Sequence, residues 1–97
     1  MYDIRYHLLV LSEDLSRIAR HDQRRILRTI LKKLQSHPHE FGKPLGSDLQ
    51  GYYRLRIDPY RVVYRIEGQR ILVFVLAIGM RRNSEIYKKA AQRLGLV

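Results

Sequence analysis

Cysteine is absent from this 97-residue chain, which excludes disulfides, thiol nucleophiles and thiolate metal sites together. Long apolar runs are absent too. The longest, Ile71 to Met80, reaches half of the roughly 20 residues that a membrane span needs. Near the N-terminus the apolar run Leu8 to Leu11 is followed at once by Glu13 and Asp14. No segment therefore reads as a secretory signal, and the chain is expected in the cytoplasm. Acids are scarce: 9 Asp+Glu stand against 19 Lys+Arg, a formal net charge of +10. Such an excess repels itself in the folded state and favours an acidic partner, whether nucleic acid, an anionic membrane or an acidic protein. Missing as well are a Gly-rich phosphate loop, a carboxylate pair suited to acid–base work and a Ser/His/Asp pattern. His37-Pro-His39 has no third ligand nearby, so neither a metal nor a cofactor is expected.

What is present is globular: 45% of the residues are hydrophobic. Tyr2 to Leu8 alternate, with Tyr2, Ile4, Tyr6 and Leu8 on one side, and predict a half-buried strand. Ser12, Glu13 and Asp14 read as a helix start, with Leu11, Leu15, Ile18 and Ala19 as its buried stripe. Asp22 is expected to cap a second helix to about Gln35. There Ile26, Leu27, Ile30, Leu31 and Leu34 recur at helical spacing against Arg24, Arg25, Arg28, Lys32 and Lys33. Pro38, Gly42, Pro44, Gly46 and Gly51 mark a long surface loop. Strands follow over Tyr52 to Ile57, Tyr60 to Glu67 and Arg70 to Ile78, with turns at Asp58-Pro59 and Gly68-Gln69. The last strand is apolar on both faces and so belongs inside the sheet. Asn83 or Ser84 caps a final helix with Ile86, Tyr87, Ala90, Ala91 and Leu94 inward. The order βααβββα predicts an α+β fold: a four-stranded mixed or antiparallel sheet, two N-terminal helices and a C-terminal helix. Neither flank of the loop can form a core alone, so residues 1–97 read as one domain.

The arginines of the second half carry the functional signal. Tyr53, Leu55 and Ile57 are the apolar side of one strand, and Tyr60, Val62, Tyr64 and Ile66 that of the next. These sets must share a face, since a one-residue slip would turn one of them to solvent. Arg54, Arg56, Arg61 and Arg65 then share the other face, provided the connection is of even length, with Pro59 fitting the second position of a type I turn. Like charges stacked across strands repel, so folding alone gives no reason for them. A solvated surface that discourages edge pairing is one reading. Tyrosines among the arginines favour the other, because bases stack on phenol rings and on guanidinium planes. Arg81 and Arg82 precede a helix N-terminus, where the dipole disfavours cations. Tyr87 sits on the inward stripe of the last helix, and a structural role is equally open to it. The basic helix from Asp22 can be a solvated face or a contact for RNA or an acidic protein.

From Gly51 to Leu94 the chain resembles RelE-type toxins of the RelE/ParE type II toxin–antitoxin superfamily. The matching runs are Tyr53-Arg-Leu-Arg-Ile, Tyr60-Arg-Val-Val-Tyr and Val73-Phe-Val-Leu-Ala-Ile-Gly-Met-Arg-Arg-Asn-Ser-Glu-Ile-Tyr87. The resemblance implies a cytoplasmic mRNA endonuclease acting in the ribosomal A site, held inactive by a cognate acidic antitoxin in a hetero-oligomer, with no membrane partner. It implies cleavage by the RNA's own 2′-OH without a metal or cofactor. It places the family's hairpin basic residues on Arg54 and Arg56, its third-strand arginine on Arg61, its post-strand arginine on Arg81 and its helix tyrosine on Tyr87. Arg56, Arg61, Arg81 and Tyr87 are then expected in catalysis, and Tyr52, Arg54, Arg65 and Arg82 in RNA binding. Well-known members carry lysine at the two hairpin positions. Arginine stays protonated and cannot act as a base, though it grips phosphate bidentately. The ParE branch, which inhibits DNA gyrase by protein contact, and a plain RNA-binding or inactive homologue are the alternatives.

Overall fold

Five strands form one mixed sheet, ordered so that the first strand lies beside the last. A computed structural model describes residues 1–82 and 84–95. The strands are β1 (Asp3–Tyr6), β2 (Lys43–Pro44), β3 (Tyr52–Ile57), β4 (Tyr60–Glu67) and β5 (Leu72–Met80). Their spatial order is β1-β5-β4-β3-β2. β1 runs parallel to β5, and the other pairings are antiparallel. β5 is interior, as its two-sided apolarity requires, while β4 holds the middle of the sheet. The expectation of four strands falls one short. β2 is two residues long and includes Pro44, so it shows no alternation by which to find it. The last strand also starts and ends two residues later than its apolar run suggests. Gly68 to Ile71 form its connection to β4, where Ile71 takes a φ of 53°.

Each face of the sheet carries its own core. Leu55, Ile57, Tyr60, Val62, Tyr64, Val73, Val75 and Ile78 pack with Ile26, Ile30 and Leu34 of α1 (Arg20–Leu34). On the other face Val63, Leu76 and Ala77 meet Ile86, Ala90 and Ala91 of α3 (Glu85–Arg93) and Leu49. β5 serves both cores by alternation, and one extra residue shifts its phase partway along, so that Val73, Val75 and Ile78 face one core and Leu76 and Ala77 the other. Val63 pairs with Ala77 but Tyr64 pairs with Val75, leaving Leu76 as a bulge. Tyr64 is fully buried and donates to the Pro38 carbonyl at 2.6 Å. Gly42 passes so close that a Cβ there would collide with the Tyr64 hydroxyl. This fixes the short helix α2 (Pro38–Phe41) and the chain after it against β4.

The N-terminal helix pair resolves differently. Residues Val10–Asp14 form a π-type turn and Leu15–Arg17 a 3-10 turn, so only α1 is a full helix in this region. Val10, Asp14, Leu15 and Ile18 point inward, while Leu8, Leu11 and Ala19 are exposed. Within α1, Leu31 is half exposed although it lies on the expected stripe. α1 begins two residues before Asp22, which sits in the first turn and accepts the Tyr60 hydroxyl at 2.9 Å instead of capping. Ser84 precedes α3 with a φ of 63° and makes no side-chain cap. Asn83, the other expected cap, lies outside the described residues.

Candidate functional site

β3 and β4 pair with Arg56 opposite Arg61, Arg54 opposite Val63 and Tyr52 opposite Arg65. The four hairpin arginines therefore share the face covered by α3. The connection is two residues, Asp58-Pro59, with a cis peptide, so the turn is a type VI geometry and not the expected type I. The parity of the loop is unchanged, and so is the face.

Two open depressions lie side by side at the end of this face. One, of about 580 Å³, is lined by Arg54, Arg81, Arg82, Ser84 and Tyr87. The other, of about 320 Å³, is lined by Arg56, Asp58, Pro59, Arg61 and Arg81. Arg81 borders both. It leaves the end of β5, and its backbone N–H donates to the Pro59 carbonyl at 3.1 Å, which ties the post-strand segment to the β3–β4 turn. Tyr87 stands in the first turn of α3, half-buried and packed against the core on this face, as the inward stripe required. The side chains of Arg54 and Arg61 each hold a buried Nε with no partner, the two buried side-chain polar atoms left unpaired among the described residues.

Asp58 sets the charge balance of the second depression. Its Oδ1 accepts from Arg56 Nε and from Arg61 Nη1, both at 3.1 Å. This places an anion between two cations that face each other across the strands, and offsets a pairing that would otherwise be repulsive. The Arg56 hydrogen bond, with Arg61 behind it, holds the Asp58 carboxyl below its ordinary range. The two arginines differ in access. The Arg56 side chain is 63% exposed and that of Arg61 only 3%. Arg61 also donates to the Tyr60 carbonyl at 2.9 Å. It is packed into the turn, and Arg56 and Arg81 are the cations that solvent-borne phosphate can reach.

Arg65 and Tyr52 line neither depression. The Arg65 guanidinium lies 4.6 Å from the centre of the Phe74 ring, 3.6 Å from Glu67 Oε2 and 3.4 Å from the Tyr52 hydroxyl. Their interactions hold one another, so the expected RNA contact at these two residues is not matched by their placement. Three of the four histidines lie against aromatic rings, and the fourth, His21, is exposed. His39 sits edge-on to Tyr2 and Tyr53, and His37 to Phe41. His7 is half-buried against Phe74 and accepts the Leu9 N–H at 3.0 Å. Among the described residues no three His, Cys, Asp or Glu side chains cluster as metal ligands, and no helix is long and apolar enough to cross a membrane.

Sequence reasoning missed the group that fixes α3. Asp14 is buried beneath the helix, and its carboxylate accepts two hydrogen bonds from Arg93 at 2.7 Å each, one from the Ile78 amide at 2.8 Å and one from Lys89 at 3.3 Å. Burial pushes this carboxyl up, but Arg93, Ile78 and Lys89 outweigh it and hold it below its ordinary range. The clamp joins the N-terminal turn, β5 and α3, and so determines where Tyr87 stands relative to Arg81. No local pattern announces it. Sequence reasoning missed Asp58 as well, reading it only as a turn residue, although an acid two residues from Arg56 and three from Arg61 is a local signal that could have found it.

A family model described as "ParE toxin of type II toxin-antitoxin system, parDE" matches residues 6–85. The chain is 31% identical to the mRNA interferase toxin RelE of Escherichia coli (strain K12) over 67 residues, covering 69% of this chain and 70% of that relative. It is 32% identical to Toxin RelE of Mycobacterium tuberculosis over 82 residues, covering 81% of this chain and 84% of that relative. The toxin–antitoxin complex RelBE2 from M. tuberculosis has a chain that superposes with a TM-score of 0.77 at 26% identity, over 82% of this chain and 98% of that one. The chain belongs to the ParE toxin family, as a RelE-type toxin of the RelE/ParE superfamily and the toxin component of a type II toxin–antitoxin system.

Proposed function

We propose that this toxin is a ribosome-dependent mRNA endonuclease that works in the cytoplasm without a metal. The observation that carries the reading is Arg81. It borders both depressions, so a phosphate beside it meets Arg54 and Arg82 on one side and Arg56 on the other. Two relatives named as mRNA interferases support the reaction class.

In this reaction the ribose 2′-oxygen attacks the adjacent phosphorus. Its proton leaves, the bond from phosphorus to the 5′-oxygen breaks, and that oxygen takes up a proton. The products are a 2′,3′-cyclic phosphate and a 5′-hydroxyl. Negative charge gathers on the equatorial phosphate oxygens at the transition state, so fixed cations act more strongly there than in the ground state. Arg81, Arg54 and Arg56 are assigned that role, with Arg82 gripping a neighbouring phosphate. Tyr87 offers a stacking face and a hydroxyl. Arg61, closed in behind Asp58, acts by holding the turn that presents Arg56. None of these arginines can take the 2′-OH proton. In-line positioning of the 2′-OH, which alone can supply several kcal/mol, is assigned to the bound mRNA and the ribosome.

The cognate antitoxin is assigned an acidic, partly disordered segment that folds over the toxin on contact, as suits a partner of net charge +10. Primer extension on mRNA held by purified ribosomes tests the reading. Wild-type protein is expected to give discrete cuts that vanish with Arg81→Ala. Intact mRNA together with inhibited gyrase supercoiling would transfer the protein to the ParE-like mode.

A further inference from the structure

Tyr87 has a second neighbour besides the cationic depression. A separate slot of about 230 Å³ opens between the turn at residues 46–49 and α3. Tyr87 and Ser84 line both hollows, so they form the partition between a cationic chamber and this one. The slot's character is different. Leu49 and Ala91, each only 6% exposed, give it apolar walls. Asp48 and Lys88 on its rim supply one acceptor and one donor. It is smaller than the roughly 300–1,000 Å³ of a drug-sized ligand site, and suits one planar ring system.

We infer that this slot receives the nucleobase next to the phosphate gripped by Arg54, Arg81 and Arg82, and that Asp48 and Lys88 discriminate among bases at that position. The inference rests on the RNA-cleavage reading above. An open apolar groove, an aromatic partition and paired polar groups at the rim are what a heteroaromatic ring with polar edges requires. A base and its own phosphate are also the two unlike parts of one nucleotide, which matches two unlike chambers sharing a wall.

Gly46 supplies the test. A Cβ there would meet nothing within 4 Å, and its φ of −117° is one that any residue adopts. Gly46 lines the slot, so a side chain added there alters its edge without backbone strain. Two measurements are made on Gly46→Leu and on the milder Gly46→Ala, each checked for an unchanged thermal midpoint. The first uses a short RNA blocked by 2′-O-methylation at the cut position and carrying 2-aminopurine beside it, whose fluorescence is quenched on stacking. Wild-type protein is expected to quench it. Gly46→Leu should weaken that binding at least about fivefold, within the range of base–aromatic stacking, and Gly46→Ala less. The second is cleavage of a codon-randomised mRNA on ribosomes, where Gly46→Leu should change the preference for the flanking base about fivefold or more. Identical quenching and identical base preference in folded Gly46→Leu would overturn the inference. Quenching that depends on residue 46 without cleavage by wild type would support the slot and remove the endonuclease reading. Cleavage with no effect of residue 46 would do the reverse. Loss of antitoxin binding with unaltered quenching would assign the slot to a protein side chain and overturn the base.

Discussion

Two carboxylates in this toxin each stand between two cations, and they do opposite things. Asp14 is wholly buried, with the Arg93 side chain 4% exposed and that of Lys89 29%. The side chain of Asp58 is 64% exposed, between an open Arg56 and a closed Arg61. The charge count is the same and the solvent differs. In the buried case, removal of one partner strands the other away from water, so the group acts as an all-or-none bolt. In the exposed case water and salt compete for every bond, so Asp58 works as an adjustable restraint on cations that the proposed function brings to RNA.

The largest effect should come from the bolt. Arg93→Ala is expected to lower unfolding stability by about 3–5 kcal/mol, read from urea denaturation. Replacing Asp14 and Arg93 together by apolar residues of similar volume should recover much of that loss. If Arg93→Ala costs no more than Arg56→Ala, the contrast between the two groups is void.

The next effect is catalytic. Arg81→Ala should cut mRNA cleavage on ribosomes at least tenfold, about 1.4 kcal/mol of barrier, with an unchanged melting temperature because Arg81 is exposed. Arg61→Ala should reduce both activity and melting temperature, since it removes a buried side chain that pins the turn. A variant that lost activity at full stability would show that Arg61 reaches the substrate after all.

Smaller changes probe the restraint. Asp58→Asn should leave melting nearly unaltered and strengthen RNA binding a few-fold at low salt, an advantage that shrinks as salt rises. Arg56→Lys sharpens the chemistry at the same place. It should weaken the toxin if Arg56 only forks onto phosphate, and raise activity if a proton acceptor is what this site lacks, because a lysine pKa can be shifted where that of arginine cannot.

The smallest effect is in pH. The Asp14 carboxyl is depressed in the folded state, so its stabilisation is complete above the unfolded carboxylate value of about 3.9 and is lost as pH falls through the lower folded value. Unfolding followed from pH 6 down to pH 2 should show a shallower acid dependence in Asp14→Asn than in wild type. An unchanged slope would mean that other carboxylates account for the acid limb.

Period-two patterning was enough to read the hairpin. Tyr53, Leu55, Ile57 and the alternate residues of β4 had to share a face, which fixed Arg54, Arg56 and Arg61 opposite, and the unforeseen turn geometry left that parity untouched. The resemblance added Arg81 and Tyr87. What escaped was non-local or too short for a period. β2 has two residues. The N-terminal turns are π-type and 3-10, and their inward set is Val10, Asp14, Leu15 and Ile18, so Leu15 and Ile18 join the core as expected while Leu11 and Ala19 do not. Asp14 looked like an acid at a helix start because its partners lie 64 to 79 positions along the chain. Arg65 alternated correctly but had a neighbour, Phe74, that only strand pairing reveals.

The parallel pairing of β1 with β5 also sets an order of events during synthesis. Asp3 cannot find its register partner until Leu72 has been made and has left the ribosome, and Asp14 must wait longer still for Arg93. An early-made segment is sealed by one made much later, Arg93 lying 79 positions beyond Asp14. On the proposed function, that topology acts as a timer: α3 cannot lock Tyr87 beside Arg81 until Arg93 has left the ribosome that builds it.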